Sequence, residues 1–275
     1  MRGFGDIAER LRRSTVQIFN GATKRDARSQ GSGIVWNAGG LILTNAHVAR
    51  TPEAEIELWD GRRFHARVAS RDPRRDLATL RVAVDHGATD GALEPATPGD
   101  STSLRPGELV IAVGNPLGFA GALSTGVVHS IGTLPGMGGQ SWIRADVRLA
   151  PGNSGGPLAN AEGRVIGINT AIVNGLGVAV PAHTALDFLR RGAAPSLGVV
   201  LRPVDLGLLL LEVDREGAAA NASLLPGDIL LTRYDALTSA LDAGRPTLRL
   251  HFLRGDRTRV REAVVRLTDA VEAAA

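Results

Sequence analysis

From residue 15 to residue 181 the chain consists of short apolar runs separated by glycine, proline, asparagine and aspartate. Runs of this length, bounded by turn-forming residues, predict β-strands, because a helix needs a longer amphipathic stretch. The predicted strands are Val16–Phe19, Gly33–Trp36, Leu41–Thr44, Ala54–Leu58, His65–Ser70, Leu77–Val82, Leu109–Val113, Gly126–Ile131, Ser141–Ala145, Gly156–Leu158, Val165–Thr170 and Gly177–Val180. A dozen strands at this spacing favour a β-barrel or sandwich over alternating βαβ units.

Helical periodicity is confined to short stretches on either side of this region. Residues 5–13 place Ile7 and Leu11 on one helix face, and a second helix is predicted over Thr184–Arg191. The stretch from Gly192 to Ser196 is typical of a linker, so we predict a first domain over residues 1–192 and a second over residues 193–275. The second domain should hold strands at Gly198–Arg202, Gly207–Val213, Asp228–Thr232, Thr247–Leu253 and Arg259–Leu267, with a helix at Ala236–Leu241.

The composition excludes several classes of protein. A hydrophobic content of 44% excludes a disordered chain, and the absence of cysteine excludes disulfides and thiolate-bound zinc. The formal net charge is only +3, and the arginines are interspersed with acidic residues, so no nucleic-acid partner is expected. Because no two histidines have metal-ligand spacing, we predict neither a metal nor another cofactor.

The N-terminal segment has a charged residue every few positions and lacks the apolar core of a signal peptide. No run approaches the ~18 apolar residues of a membrane helix, so no membrane span is expected. The chain as written would be cytoplasmic, or periplasmic or extracellular if a leader was removed.

Three local motifs contain candidate catalytic residues. His47 follows a predicted strand in L-T-N-A-H-V, Asp76 leads into a strand in R-D-L-A, and Ser154 lies in the glycine-rich loop P-G-N-S-G-G-P. A serine hydroxyl needs a neighbouring base, histidine is a neutral base near pH 7, and a carboxylate holds the imidazole in the correct tautomer. The glycines allow the backbone N–H groups of Gly152 and Ser154 to converge on one point as an oxyanion hole.

Each motif alone has a commonplace interpretation. A lone histidine at a strand end is usually a surface or core residue, an aspartate before a strand is usually a turn residue, and a glycine-rich stretch is usually just a loop. The combination is much rarer, because the chain order His, Asp, Ser is that of chymotrypsin-like proteases. We therefore predict that His47, Asp76 and Ser154 form a catalytic triad.

Further motifs resemble those of the HtrA/Deg family of trypsin-fold proteases. They are Q-G-S-G-I from Gln30, D-L-A-T-L from Asp76, G-N-P-L-G from Gly114, G-I-N-T from Gly167 and G-V-A-V-P from Gly177. The resemblance implies a mainly β, chymotrypsin-like double barrel with the triad in the cleft. It also implies an ATP-independent endopeptidase that cleaves unfolded or damaged proteins after small aliphatic residues. The residues it implies for substrate binding are Ile168, Asn169, Thr170, Ala171 and Val178. Family members are usually trimers built through N-terminal contacts, and Phe4 is the candidate for that contact here.

The second domain resembles a small α+β PDZ domain. L-L-P-G-D-I-L from Leu224 is similar to a family turn, and Leu197, Gly198 and Val199 lie where the carboxylate-binding loop is expected. A PDZ domain binds a C-terminal peptide as an added strand. The segment between Val199 and Leu208 is short, so peptide binding by this unit stays open.

Two functions compete at this stage. The first is proteolysis of unfolded or peptide substrates by a homo-oligomer, as part of protein quality control. The alternative is a catalytically silent chaperone or peptide-binding protein on the same fold. The complete set of triad residues favours proteolysis.

Overall fold

The computed structural model describes residues 3–20, 29–82, 93–116, 119, 121–135, 137, 139–191, 196–243 and 245–267. The chain divides into two compact units, residues 1–133 with 140–190, and residues 134–139 with 191–275. The predicted domain boundary and residues 192–195 of the predicted linker lie outside the described part, so the boundary stays a prediction. The sequence gives no sign that segment 134–139 groups with the C-terminal unit.

The first unit begins with helix α1 (Phe4–Arg13), which leads into a closed six-stranded barrel. Asp6 accepts a hydrogen bond from the Gly3 N–H at the start of α1, and Leu11 is buried. The barrel order is β1-β2-β3-β6-β5-β4, and all neighbouring strands are antiparallel. Its strands are β1 (Thr15–Asn20), β2 (Ser29–Val35), β3 (Leu41–Thr44), β4 (Glu53–Glu57), β5 (Arg63–Asp72) and β6 (Leu77–Val82).

A second closed barrel follows, in the order β10-β11-β12-β9-β8-β7. Its strands are β7 (Leu109–Gly114), β8 (Ala122–Gly132), β9 (Trp142–Asp146), β10 (Pro157–Asn160), β11 (Val165–Val173) and β12 (Leu176–Pro181), and helix α2 (Ala182–Arg191) comes next. Both interiors are packed with Val, Ile, Leu and Ala, which suit a pleated, half-buried surface. The predicted chymotrypsin-like double barrel is therefore confirmed, and each of the twelve predicted strands lies at its expected place.

The second unit contains a five-stranded antiparallel sheet in the order β13-β14-β15-β16-β17. Its elements are β13 (Val199–Val204), β14 (Gly207–Val213), α3 (Ala218–Asn221), β15 (Ile229–Leu230), α4 (Tyr234–Asp242), β16 (Thr247–Arg254) and β17 (Asp256–Arg266). One face covers a separate leucine-rich core. The buried Asp228 carboxylate pairs with Arg254 at 2.6 Å, so its charge is compensated in that core. The short helix α3 is absent from the sequence-based prediction.

Candidate active site

Strand pairing in the first barrel brings the predicted histidine and aspartate together. Strand β3 pairs with β6 through Thr44 and Ala78, so the residues just beyond β3 lie beside those just before β6. The turn after β3 is stabilised by hydrogen bonds from the Val48 and Ala49 N–H groups to the Asn45 carbonyl. His47 and Asp76 therefore meet at one end of the barrel.

Three hydrogen bonds connect His47 to Asp76. His47 Nδ1 lies 2.8 Å from Asp76 Oδ2 and 3.0 Å from Oδ1, and the His47 backbone N–H donates to Oδ1 at 3.0 Å. The His47 side chain is 40% exposed, whereas that of Asp76 is only 18% exposed. Asp76 has a φ of +54°, a left-handed conformation that is uncommon outside glycine. A nearly covered carboxylate thus orients an imidazole that is open to solvent.

The Ser154 loop lies between β9 and β10 of the second barrel. The N–H of Gly155 donates to the Asn169 carbonyl at 2.7 Å, and the Asn169 N–H donates to the Gly156 carbonyl at 2.8 Å. These bonds tie the C-terminal side of the loop to β11. Gly152 and Gly155 have φ values of +106° and +86°, so two left-handed positions flank the serine and favour glycine.

The Ser154 hydroxyl is turned towards β11. It donates a hydrogen bond to the Thr170 carbonyl at 2.9 Å, and no hydrogen bond joins it to His47 among the described residues. Side chains move between staggered rotamers by rotation about single bonds. Rotation about the Ser154 Cα–Cβ bond would release this contact.

The two predicted oxyanion donors have no protein acceptor among the described residues. Within the described part of the chain, neither the Gly152 nor the Ser154 N–H donates a hydrogen bond to the protein. The Asn153 N–H donates to the Ala150 carbonyl at 3.0 Å, which closes a turn with Pro151 and Gly152 at its centre. A Cβ at Gly152 would lie 2.5 Å from the Asn115 carbonyl oxygen, so the position also lacks room for a side chain.

A cavity of about 140 Å³ opens beside the serine. Its lining residues are Leu149, Ala150, Pro151, Asn153, Ser154, Thr170, Ala171 and Ile172. None of these side chains is charged. The lining therefore suits a small apolar group better than a cationic one.

The predicted substrate-binding residues are divided between this cavity and the protein interior. Thr170 and Ala171 line the cavity. Ile168, Asn169 and Val178 are buried, with exposures of 1% or less, and are not among the lining residues. The Asn169 side chain donates to the Pro157 carbonyl at 2.9 Å, so it supports the serine loop.

Sequence analysis does not identify three buried polar residues around the site. Asn45 donates to the Asp76 carbonyl at 2.8 Å and to Thr170 Oγ1 at 2.9 Å, and thus connects the two barrels. Ser32 and Asn115 lie behind the serine loop and contact each other. All three lie inside motifs that the sequence analysis quotes, and a polar side chain next to a predicted strand within a motif is the signal for them.

The residues predicted for the PDZ-like site lie at the start of the second unit's sheet. Leu197 is buried, Gly198 has a φ of +67°, and Val199 begins β13. The Gly198 N–H donates to the Ser196 hydroxyl at 3.1 Å. That backbone donor is therefore already used within the chain.

Two further observations concern metals and membranes. The described residues contain no cluster of three or more histidine, aspartate or glutamate side chains that could hold a metal ion. None of the helices in the described part of the chain has the length and apolarity needed to cross a membrane.

Comparison with known proteins agrees with this geometry. A family model described as "Trypsin-like peptidase domain" matches residues 31–168. A protein of Pseudomonas putida strain W619, named "Probable periplasmic serine endoprotease DegP-like", is 36% identical over 256 residues, covering 83% of this chain and 52% of that protein. A protein of Halomonas elongata with the same name is 36% identical over 232 residues, covering 75% of this chain and 48% of that protein. The chain thus spans about half the length of the curated relatives it matches.

Solved structures show the same similarity. The structure described as "HtrA-type protease AlgW with tripeptide" matches with a TM-score of 0.65 and 26% identity, covering 96% of each chain. The structure described as "HtrA-type protease AlgW with decapeptide" matches with a TM-score of 0.64 and 25% identity, covering 96% of this chain and 98% of that one.

Proposed function

Because the chain belongs to the trypsin-like peptidase family, among the serine proteases of HtrA/Deg type, we propose that it is an ATP-independent serine endopeptidase. The observation that carries the proposal is the bonded pair of His47 and Asp76, together with a serine loop in which two N–H groups have no acceptor among the described residues. No cofactor is required by this chemistry. The whole protein's substrates and partners are part of the same proposal.

In the proposed mechanism, the residues of the first barrel carry out general acid–base catalysis. Asp76 accepts the Nδ1–H of His47, which leaves the lone pair on Nε2 available as a base. The Ser154 hydroxyl rotates away from the Thr170 carbonyl, gives its proton to Nε2 and attacks the peptide carbonyl carbon. His47 then returns the proton to the leaving amine, and water hydrolyses the acyl-enzyme by the same route.

The negative charge of the tetrahedral intermediate would be stabilised by the N–H groups of Gly152 and Ser154. Donors aimed at a developing oxyanion are worth about 3 kcal/mol each. Neither N–H has an acceptor within the described part of the chain, which supports this role because no such bond need break to receive the oxyanion. The two flanking glycine conformations support it as well.

We expect cleavage after small aliphatic residues of unfolded or damaged proteins. The cavity beside Ser154 is small and lined by uncharged side chains, Ala171 and Ile172 among them. A hydrophobic pocket without an acidic side chain offers no partner for Arg or Lys. A majority of cuts after Arg or Lys in mapped casein fragments would contradict this specificity.

The central experiment compares the wild type with Ser154→Ala on casein and on a fluorophosphonate probe, which labels only an activated serine. We expect cleavage and labelling by the wild type, and a loss of turnover of about 10⁶-fold in the variant. Circular dichroism checks that the variant is folded. Equal cleavage by both proteins, with contaminating proteases excluded, would refute the assignment.

Assembly, location and the second unit are further parts of the proposal. Phe4 is 54% exposed on α1, which supports an N-terminal contact in a homo-oligomer, and light scattering of the wild type and Phe4→Ala would test it.

The relatives are named periplasmic, and we propose that location for this chain. We propose that the second unit is PDZ-like and binds free C-terminal peptides only weakly, because the Gly198 N–H is already bonded. Calorimetric titration with a C-terminal peptide would measure that affinity.

A further inference from the structure

Ser32 contacts the serine loop from behind. It lies in β2 of the first barrel and is completely buried. Its hydroxyl donates to the Gly152 carbonyl at 2.7 Å, and its backbone N–H donates to the Ser154 carbonyl at 2.7 Å. One residue therefore binds the carbonyls of both residues whose N–H groups form the proposed oxyanion hole.

The direction of the Ser32 hydroxyl is determined by Asn115. The Asn115 backbone N–H donates to Ser32 Oγ at 2.9 Å, and its side-chain Nδ2 donates to the same oxygen at 3.2 Å. A serine hydroxyl has one donor and two acceptor positions. Because both acceptor positions are occupied, the single proton of Ser32 is directed to the Gly152 carbonyl.

The side-chain amide of Asn115 forms two further hydrogen bonds that hold this residue in place. Nδ2 also donates to the Val16 carbonyl at 2.9 Å, and Oδ1 accepts the Gly121 N–H at 2.8 Å. Asn115 is only 3% exposed, so these bonds are formed away from water. A buried polar group that loses its hydrogen-bond partner destabilises the protein. A change to one residue of this hydrogen-bond network therefore affects the others.

The bond to Gly152 restricts the turn that carries the first oxyanion donor. In the peptide between Gly152 and Asn153, the carbonyl accepts from Ser32 and the N–H donates to the Ala150 carbonyl. This peptide plane is therefore held at both ends, and the Gly152 N–H belongs to the adjacent peptide, between Pro151 and Gly152. Removal of the Ser32 hydroxyl would take this donor from the Gly152 carbonyl and this acceptor from the Asn115 N–H. Of the two bonds to this peptide, only that from the Asn153 N–H to the Ala150 carbonyl would remain.

We propose that Ser32 is a positioning residue for the oxyanion hole, acting through Gly152 with its hydroxyl oriented by Asn115. The inference rests on the proposed peptidase function. An oxyanion donor acts mainly in the transition state, so its misplacement lowers kcat more than it changes KM. A general loss of stability would not be expected to lower kcat while KM stays constant.

The test uses the full chain with Ser32→Ala and a chromogenic peptide. We expect kcat to fall about 10- to 100-fold with KM within about twofold of the wild type, because a misplaced donor loses part of the effect of a deleted one. The affinity for a peptide boronate, whose adduct oxygen occupies the oxyanion hole, should fall by a similar factor. Ser14→Ala is the matched control, since Ser14 is also buried and its hydroxyl donates only to the Leu11 carbonyl, at 3.1 Å.

Should Ser32→Ala not fold, Asn115→Asp answers the same question. It keeps the side-chain volume but removes the Nδ2 donor that orients the Ser32 hydroxyl, and we expect kcat to fall at least about fivefold at constant KM. An unchanged kcat and boronate affinity in a folded variant would overturn the inference. If the wild type itself neither cuts peptide nor reacts with fluorophosphonate, the proposed function fails. If the wild type does both, and a folded Ser32→Ala variant keeps its kcat and boronate affinity, only the role of Ser32 fails.

Discussion

The two barrels hold the proposed catalytic groups in different hydrogen-bonding states. On the first barrel, His47 and Asp76 are joined by side-chain and backbone hydrogen bonds of 2.8–3.0 Å. On the second, the Ser154 hydroxyl is bonded to the Thr170 carbonyl instead of to the base. The proposed acid–base pair is thus assembled in this structure, whereas the hydroxyl of the proposed nucleophile is bonded to Thr170 and must leave that carbonyl before it can react.

This difference follows from what holds each group. The His47–Asp76 pair lies at the adjoining ends of two hydrogen-bonded strands, β3 and β6, and its carboxylate is mostly shielded from solvent. Ser154 is in a loop whose flanking glycines determine the backbone but not the serine rotamer. Its bond to Thr170 is a single neutral hydrogen bond, worth about 1 kcal/mol, which a bound substrate can displace. The serine's orientation alone therefore does not favour the catalytically silent alternative.

The largest effect predicted by this comparison belongs to Asp76→Asn. The amide would donate to His47 Nδ1, which moves the imidazole proton to Nε2 and removes the base that Ser154 needs. We expect kcat on a chromogenic peptide to fall about 10⁴-fold while the fold is retained. Asp187→Asn is the matched control, because that carboxylate forms only an exposed ion pair with Arg190 on α2. A loss of less than tenfold at Asp76 would contradict the assembled pair.

Strand periodicity and motif order predicted most of what the structure contains in the first unit. Each apolar run between turn residues is a strand in the structure, because runs of this length bury their apolar side chains by pairing into a sheet. The chain order of His47, Asp76 and Ser154 pointed to the pair that the structure joins. The ends of the strands were less predictable. Strand β8 was predicted to begin at Gly126 but begins at Ala122, because its pairing with β7 extends to Gly114.

Other features could not be predicted because they depend on contacts distant in sequence. Strand β11 is buried on both faces from Val165 to Thr170, so alternation cannot distinguish residues facing the cavity from those facing the core. This explains why Ile168 lies in the interior while Ala171 lines the cavity. The partners of Asn45 lie 31 and 125 positions away, beyond the reach of any local pattern.

The second prediction concerns Asn45, which connects the two halves of the site. Asn45→Ala leaves the Asp76 carbonyl and Thr170 Oγ1 without this donor in a buried environment. We expect the free energy of unfolding to fall by about 2 kcal/mol and kcat to fall about tenfold.

Chemical denaturation and peptide kinetics on the same samples measure both effects of Asn45→Ala. Asn160→Ala is the control, because this asparagine closes the turn between β10 and β11 by accepting the Arg164 N–H at 2.9 Å and contacts neither half of the site. It should lose stability without losing kcat. A loss of stability without any loss of kcat at Asn45 as well would show that the two halves are positioned independently.

The smallest predicted effect lies outside both halves, at Glu9 on α1. Arg12 and Arg13 donate to its carboxylate at 2.8 Å, and these hydrogen bonds lower the pKa of Glu9 to about 2 from an ordinary value of 4.5. A lowered pKa in the folded state stabilises the protein above about pH 4.5, and that contribution is lost as the pH falls towards 2. Because Glu9 is 41% exposed, solvent screening should limit the effect of Glu9→Gln to less than about 1 kcal/mol at pH 7. Denaturation at pH 7 and at low pH should show this difference shrinking on acidification, with kcat at pH 7 unchanged. A difference that grows as the pH falls would mean that the carboxylate does not gain its stability from the two arginines.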